Sequence, residues 1–199
     1  KTLPAVTRDG RSVQLCANVG GIKDIKKALE FGMDGVGLFR SEFLYMDNKH
    51  FPTEEEQFAV YKEAAQLCKG ELTIRTLDIG GDKPLPYFPI DEQNPFLGWR
   101  GIRISLDQPD LFKTQLRAML RAGTAHPNMA ILLPMISGIG ELSEALELLR
   151  EAQAELAEDG IVVRTPRVGI MVEVPSAVYQ IEKLIRMVDF ASIGSNDLT

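Results

Sequence analysis

The sequence predicts an α/β fold assembled from repeated βα units, and three observations predict it. Six short, continuous apolar runs recur along the 199 residues; such runs suit strands buried on both faces of a parallel sheet. Amphipathic stretches with helical spacing separate them. Most of the runs end in polar or charged groups: Asn18, Arg40 with Glu42, Arg75 with Asp78, Glu173, and Asn196 with Asp197. Repeated right-handed βα units give either an open doubly wound sheet or a closed barrel. No GxGxxG joins the first run to the first helix, so the main sign of a dinucleotide-binding doubly wound sheet is missing. Polar groups at nearly every strand end favour the barrel, in which all the C-terminal strand ends converge on one mouth. The expectation is a (βα)8 TIM-type barrel truncated to about six βα units, since about 250 residues is typical of the closed form.

The elements follow in order. VQLCANVG (13–20) is the first strand and holds Cys16, read as a buried apolar residue. IKDIKKALEFG places Ile22, Ile25 and Leu29 on one helical face, with Gly32 as the C-terminal cap. GVGLFRSEF (35–43) is the second strand. PTEEEQFAVYKEAAQLCKG opens a helix with Thr53 and Glu56 in a T-x-x-E capping box and closes at Gly70. LTIRTLDIG (72–80) is the third strand, followed by an excursion over 79–105 rich in Pro, Gly and aromatics. QPDLFKTQLRAMLRAG is a helix with Pro109 near its first position and Gly123 near its end. AILLPMIS (130–137), VGIMVEVP (168–175) and VDFASIGSND (188–197) are the last three strands. The leucine-rich GELSEALELLREAQAELAEDG and then SAVYQIEKLIRMV lie between them as helices.

Composition bounds the function. Hydrophobic residues make up 45% and charged residues 25%, the profile of a soluble globular protein. No apolar run approaches the roughly 18 residues that span a membrane, and KTLPAVTRDG has no apolar core of a signal peptide. Lys1 reads as the start of a segment from a longer protein. The net charge of −6 and the lack of a lysine/arginine run argue against nucleic acid or an anionic membrane as the partner. Cys16 and Cys68 form no CxxC pair or disulfide framework, so a reducing, cytoplasmic setting is expected. His50 and His126 adjoin turn residues and read as surface-loop histidines.

Two pairs of residues carry the chemical signal. Arg40 and Arg75 each end an apolar run, so each planar guanidinium projects from a rigid element and matches phosphate or carboxylate. The competing reading pairs them with Glu42 and Asp78 in ordinary ion pairs. Glu173 and Asp197 bring two carboxylates to the same mouth, where they would repel and raise one pKa. Mg²⁺ removes that conflict, because it takes one or two protein carboxylates and leaves other positions to water and substrate phosphate. The competing reading is an arginine partner or a helix cap. Zinc is disfavoured without a Cys/His cluster. DIGGDKP (78–84) lacks the GxxxxGK[ST] spacing of a phosphate-binding loop and reads as a turn. Arg100, beside Trp99, either reaches the mouth or forms a structural ion pair. Two cations with a two-carboxylate metal site suit a small polyanion bearing phosphate and carboxylate.

The motifs GVGLFRSEFLYMD, PTEEEQF, RTLDIGGDKPLPY, EQNPFLGWRGIRI, LLPMI, GIMVEVPSA and SIGSNDLT occur in this order over nearly the whole chain. They resemble the C-terminal phosphoenolpyruvate (PEP)-binding barrel of Enzyme I of the bacterial PEP:sugar phosphotransferase system. The resemblance implies one barrel domain over 1–199, with Arg40 and Arg75 on the phosphate and carboxylate of PEP. It further implies Glu173 and Asp197 on Mg²⁺, and Asn196 and Asp197 against PEP. It implies a phosphotransferase that passes the PEP phosphoryl group to a protein histidine and on to a small histidine-containing carrier protein, for sugar uptake or nitrogen-related regulation, and a homodimer in the full-length protein. Neither His50 nor His126 lies in the acceptor motif. The acceptor histidine, the proton-donor cysteine and the last barrel strands are therefore expected outside these residues, leaving no catalytic residue within them. A PEP synthase or pyruvate phosphate dikinase fragment, or a non-catalytic PEP-sensing module, are the alternatives.

Overall fold

The computed structural model describes residues 3–80, 85–94 and 97–198. Residues 81–84 of the DIGGDKP turn, 95–96 of the NPFLGWR segment and Thr199 lie outside the described residues. Six strands form one sheet, hydrogen-bonded in chain order and all parallel. They are β1 (Cys16–Val19), β2 (Gly35–Arg40), β3 (Leu72–Arg75), β4 (Met129–Leu133), β5 (Arg167–Val172) and β6 (Phe190–Ile193). Strand order that never reverses is the winding of a barrel, whereas a doubly wound sheet reverses at a switch point. The sheet curls through 202° into an open half-barrel of the (βα)8 type.

Helices flank the sheet: α1 (Ile22–Glu30), α2 (Glu42–Met46), α3 (Glu54–Leu67), α4 (Ile102–Asp107), α5 (Pro109–Thr124), α6 (Ile139–Glu158), α7 (Pro175–Leu184) and the single turn α8 (Ser195–Leu198). The local signals explain their ends. Thr53 and Glu56 form the capping box, with Thr53 N–H donating to Glu56 Oε2 at 2.7 Å. Pro109 opens α5, and Gly32 ends α1 at φ 69°, its N–H donating to Leu29 O at 3.0 Å. Gly70 has a different reason to be glycine: a Cβ there would stand 1.8 Å from Asp34 O.

The main core fills the space between sheet and helices, from Val36, Ile74 and Ile131 on the strands to Tyr61, Leu116 and Leu149 on the helices. A second, smaller core of Tyr45, Leu77, Ile79, Leu85 and Ile104 lies beyond the strand ends. Phe51, Tyr87, Phe88 and Trp99 edge it in a run of ring contacts. This core packs the excursion after β3 against α2 and α4 and so holds Arg100 in place.

Several expectations need correction. The strands are shorter than the apolar runs. β2 stops at Arg40, and Glu42 opens α2. β6 stops at Ile193, and Asn196 and Asp197 sit in α8 rather than at a strand tip. Gly194 N–H makes the last bond to the neighbouring strand, to Val172 O at 3.0 Å, and short polar residues past it favour a helical turn. β3 and β4 are buried throughout, but the edge strands β1 and β6 are half open. Cys16 is consequently exposed, not buried. Leu29 is 39% exposed, because α1 flanks the edge strand and packs mainly on β1 and α3.

Candidate active site

The C-terminal ends of the strands enclose a cavity of about 580 Å³, lined by Asn18, Arg40, Arg75, Arg100, Glu173 and Asp197, with the 192–196 segment closing one side. Five of these side chains arrive from different units, and Arg100 comes from the excursion after β3. Asn18 lies on β1, Arg40 ends β2, Arg75 ends β3, Glu173 follows β5, and Asp197 lies in α8. Register matters as much as order. Arg40 stands directly opposite Arg75 across the β2–β3 pair, so two guanidinium groups leave neighbouring strands at one level.

The two arginines differ in their partners. Arg75 is buried and donates from Nη2 to Glu42 Oε1 at 2.7 Å, with Asp78 Oδ2 at 3.0 Å. Among the described residues its Nη1 meets only Met171 Sδ, at 3.8 Å, a weak acceptor that leaves donor capacity for a ligand. Arg40 has no carboxylate partner among the described residues. Its guanidinium lies over the Phe43 ring at 4.6 Å, and its buried Nε has no hydrogen bond. Arg100, read from sequence as either mouth residue or ion pair, is both. It lines the cavity and bridges Asp78 (Nε to Oδ1, 3.0 Å) and Asp197 (Nη1 to Oδ1, 3.0 Å). The two aspartates hold its pKa above the ordinary value against the opposing effect of burial.

Glu173 is 1% exposed. Burial pushes its pKa up to about 7, and the carboxylates of Asp78 and Asp197 push the same way. A hydrogen bond from Met135 N–H to Glu173 Oε1 at 2.7 Å opposes them, as does the charge of Arg75. Met135 reaches that position with φ 58°, an uncommon conformation for a non-glycine residue. Facing it, Gly101 also has positive φ, and a Cβ there would come within 2.9 Å of Met135 Cγ.

All five site residues read from sequence, Arg40, Arg75, Glu173, Asn196 and Asp197, line this one cavity. Sequence reasoning missed the Met135 N–H, since no side chain announces it. It also gave Glu42 and Asp78 only the role of possible partners, although both are buried supports of the arginines. His50 and His126 lie elsewhere and do not line the cavity.

Among the described residues no group of three or more His, Cys, Asp or Glu side chains gathers that could hold a metal ion. Two carboxylates, Glu173 and Asp197, do line the same mouth. That donor set fits Mg²⁺, which binds through one or two carboxylates with its remaining positions left to water and phosphate.

The parallel half-barrel, with cations and two carboxylates gathered at its strand ends, places the chain in the (βα)8 class. Its family is narrower: the chain belongs to the PEP-utilising enzymes and matches their PEP-binding domain over residues 1–199. It is 48% identical over 199 residues to a protein of Salmonella typhimurium named "Phosphoenolpyruvate-dependent phosphotransferase system", covering 99% of this chain and 27% of that protein. It is 48% identical over 200 residues to the "Phosphoenolpyruvate-protein phosphotransferase" of Mycoplasma capricolum, covering 100% and 35%. The protein of the same name in Bacillus subtilis is 47% identical over 198 residues, covering 98% and 35%. The chain thus spans about a third or less of the length of these relatives. No helix among the described residues is long and apolar enough to cross a membrane.

Proposed function

We propose that this chain binds phosphoenolpyruvate for a phosphotransferase that passes the phosphoryl group to a protein histidine and on to a small carrier protein. The observation that carries the reading is Arg40: a guanidinium in a cavity, level with Arg75, with no carboxylate partner among the described residues. A cation left without a counter-charge at a strand end is matched to an anion from outside.

Arg40 would bind one anionic group of the substrate and Arg75 the other, each with its donors pre-aimed by a strand. Arg75 and Arg100 are held by Glu42, Asp78 and Asp197, so their forks need little reorganisation when charge builds on the phosphoryl oxygens. Such positioning and electrostatics dominate phosphoryl transfer. Asn196 would donate its amide to the substrate. Glu173 and Asp197 would hold Mg²⁺, which when bound supplies charge neutralisation for the phosphoryl group and the departing enolate. No histidine borders the cavity, so the acceptor comes from elsewhere in the protein.

Calorimetric titration of PEP with Mg²⁺ into the whole protein tests this. Arg40→Ala is expected to weaken binding by roughly 10- to 100-fold, the worth of a charge-assisted hydrogen bond, with little change in melting temperature. Arg40→Lys should recover part of the loss. An unchanged Kd in Arg40→Ala would remove Arg40 from the site.

A further inference from the structure

Behind the mouth, outside the residues that line it, one buried amide joins two strand exits. Gln115 lies in α5 and is 1% exposed. Its Nε2 donates to Ser41 Oγ at 3.0 Å and to Tyr61 OH at 3.1 Å, and its Oε1 accepts from Leu77 N–H at 2.8 Å. Ser41 directly follows Arg40. Leu77 directly precedes Asp78, whose carboxylate holds both Arg75 and Arg100. A single side chain from the helix layer therefore holds the Ser41 hydroxyl next to Arg40 and the Leu77 backbone N–H next to Asp78.

The helix carrying that amide is itself tied down on both sides. Lys113 reaches Glu155 on α6 at 2.6 Å, while Arg117 and Arg121 each reach Glu54 on α3 at 2.6 Å. Arg40 needs such a clamp more than Arg75 does. With no carboxylate partner among the described residues and its guanidinium over the Phe43 ring, its placement follows the direction in which the chain leaves β2 at Ser41.

Resting on the reading of the mouth as the PEP site, we propose that Gln115 is a positioning residue that sets Arg40 at the right separation from Arg75 and Asp78. It never touches substrate. Tyr61 belongs to the clamp itself, since it bonds Gln115 and Gln57 and its OH also meets the Ser41 hydroxyl. The far arm of the network is Tyr45, whose OH donates to Gln57 Oε1 at 3.1 Å.

The test compares three variants of the whole protein by PEP titration and thermal melting. Gln115→Met keeps the shape and removes all three bonds; Ser41→Ala removes the Arg40-side bond; Tyr45→Phe removes the far arm. Gln115→Met and Ser41→Ala are expected to raise the Kd for PEP by about tenfold, the scale on which small misplacements act. Combining Gln115→Met with Ser41→Ala should weaken binding no further than Gln115→Met alone, because both break one path. Tyr45→Phe should lower the melting temperature yet keep Kd within about twofold of wild type. If Gln115→Met does not fold, the contrast between Ser41→Ala and Tyr45→Phe decides by the same criterion. Wild-type protein that binds PEP alongside a Gln115→Met variant that binds equally well overturns this proposal alone. So does a Tyr45→Phe variant that loses as much affinity as Ser41→Ala. Wild-type protein that takes no PEP overturns the mouth reading and this proposal with it.

Discussion

Glu173 sits where burial and like charge act in the same direction, and its ionisation should be visible in stability. Its ordinary pKa is 4.5 and rises to about 7 in the folded chain. Below about pH 4.5 the carboxyl is neutral in both folded and unfolded chains. Between the two values the unfolded chain releases its proton and the folded one keeps it, so stability falls as pH rises. Above about pH 7 both are ionised and the full loss, about 3 kcal/mol, is present. Glu173→Gln removes this term. In metal-free protein, the melting temperature of the variant should therefore gain on wild type as pH goes from about 5 to 8. A difference that stays constant across that range would show that Glu173 does not titrate there. Mg²⁺ at the upper end should recover part of the wild-type loss, since a ligand that binds only the folded state stabilises it.

Among the elements, α3 shows how far local chemistry reaches. Its start is written in the T-x-x-E pattern, because a capping box needs only residues three apart. Both of its bonds are present. Thr53→Ala should cost about 1 kcal/mol, read as a lower denaturant midpoint with unchanged slope. PEP affinity should not move, since Thr53 does not line the cavity; a change in affinity would mean that α3 does more than brace the barrel. Pro109 and Gly32 were legible for the same short-range reason. The ends of β2 and β6 were not. An apolar run records burial but does not say where the neighbouring strand stops offering hydrogen bonds, so Glu42, Asn196 and Asp197 appeared as strand residues and proved to be helical.

At the scale of the molecule, the outer edges of β1 and β6 have no strand neighbours among the described residues. Ile193 is 77% exposed, Leu15 53%, and Tyr179 on the adjoining α7 91%. Open edges with apolar neighbours invite pairing with another chain. Expressed alone, residues 1–199 should associate as concentration rises in sedimentation velocity, and Ile193→Lys on the β6 edge should reduce it. A concentration-independent monomer would contradict this.

By itself, the sequence determined the type and order of the elements, the parallel winding and the set of polar residues at the strand ends. Each of these depends on periodicity or on residues a few positions apart. Tertiary structure alone decided how those residues share their charges. Arg75 and Arg100 are both pinned by Asp78, while Arg40 has no carboxylate partner among the described residues. Arg100 meets Asp197 across 97 positions of chain. The Met135 N–H is aimed at Glu173 by a backbone twist that no motif records. These contacts depend on the curvature that brings distant strand ends to one mouth, and partner choice there goes to whichever opposite charge the closed geometry places within about 3 Å.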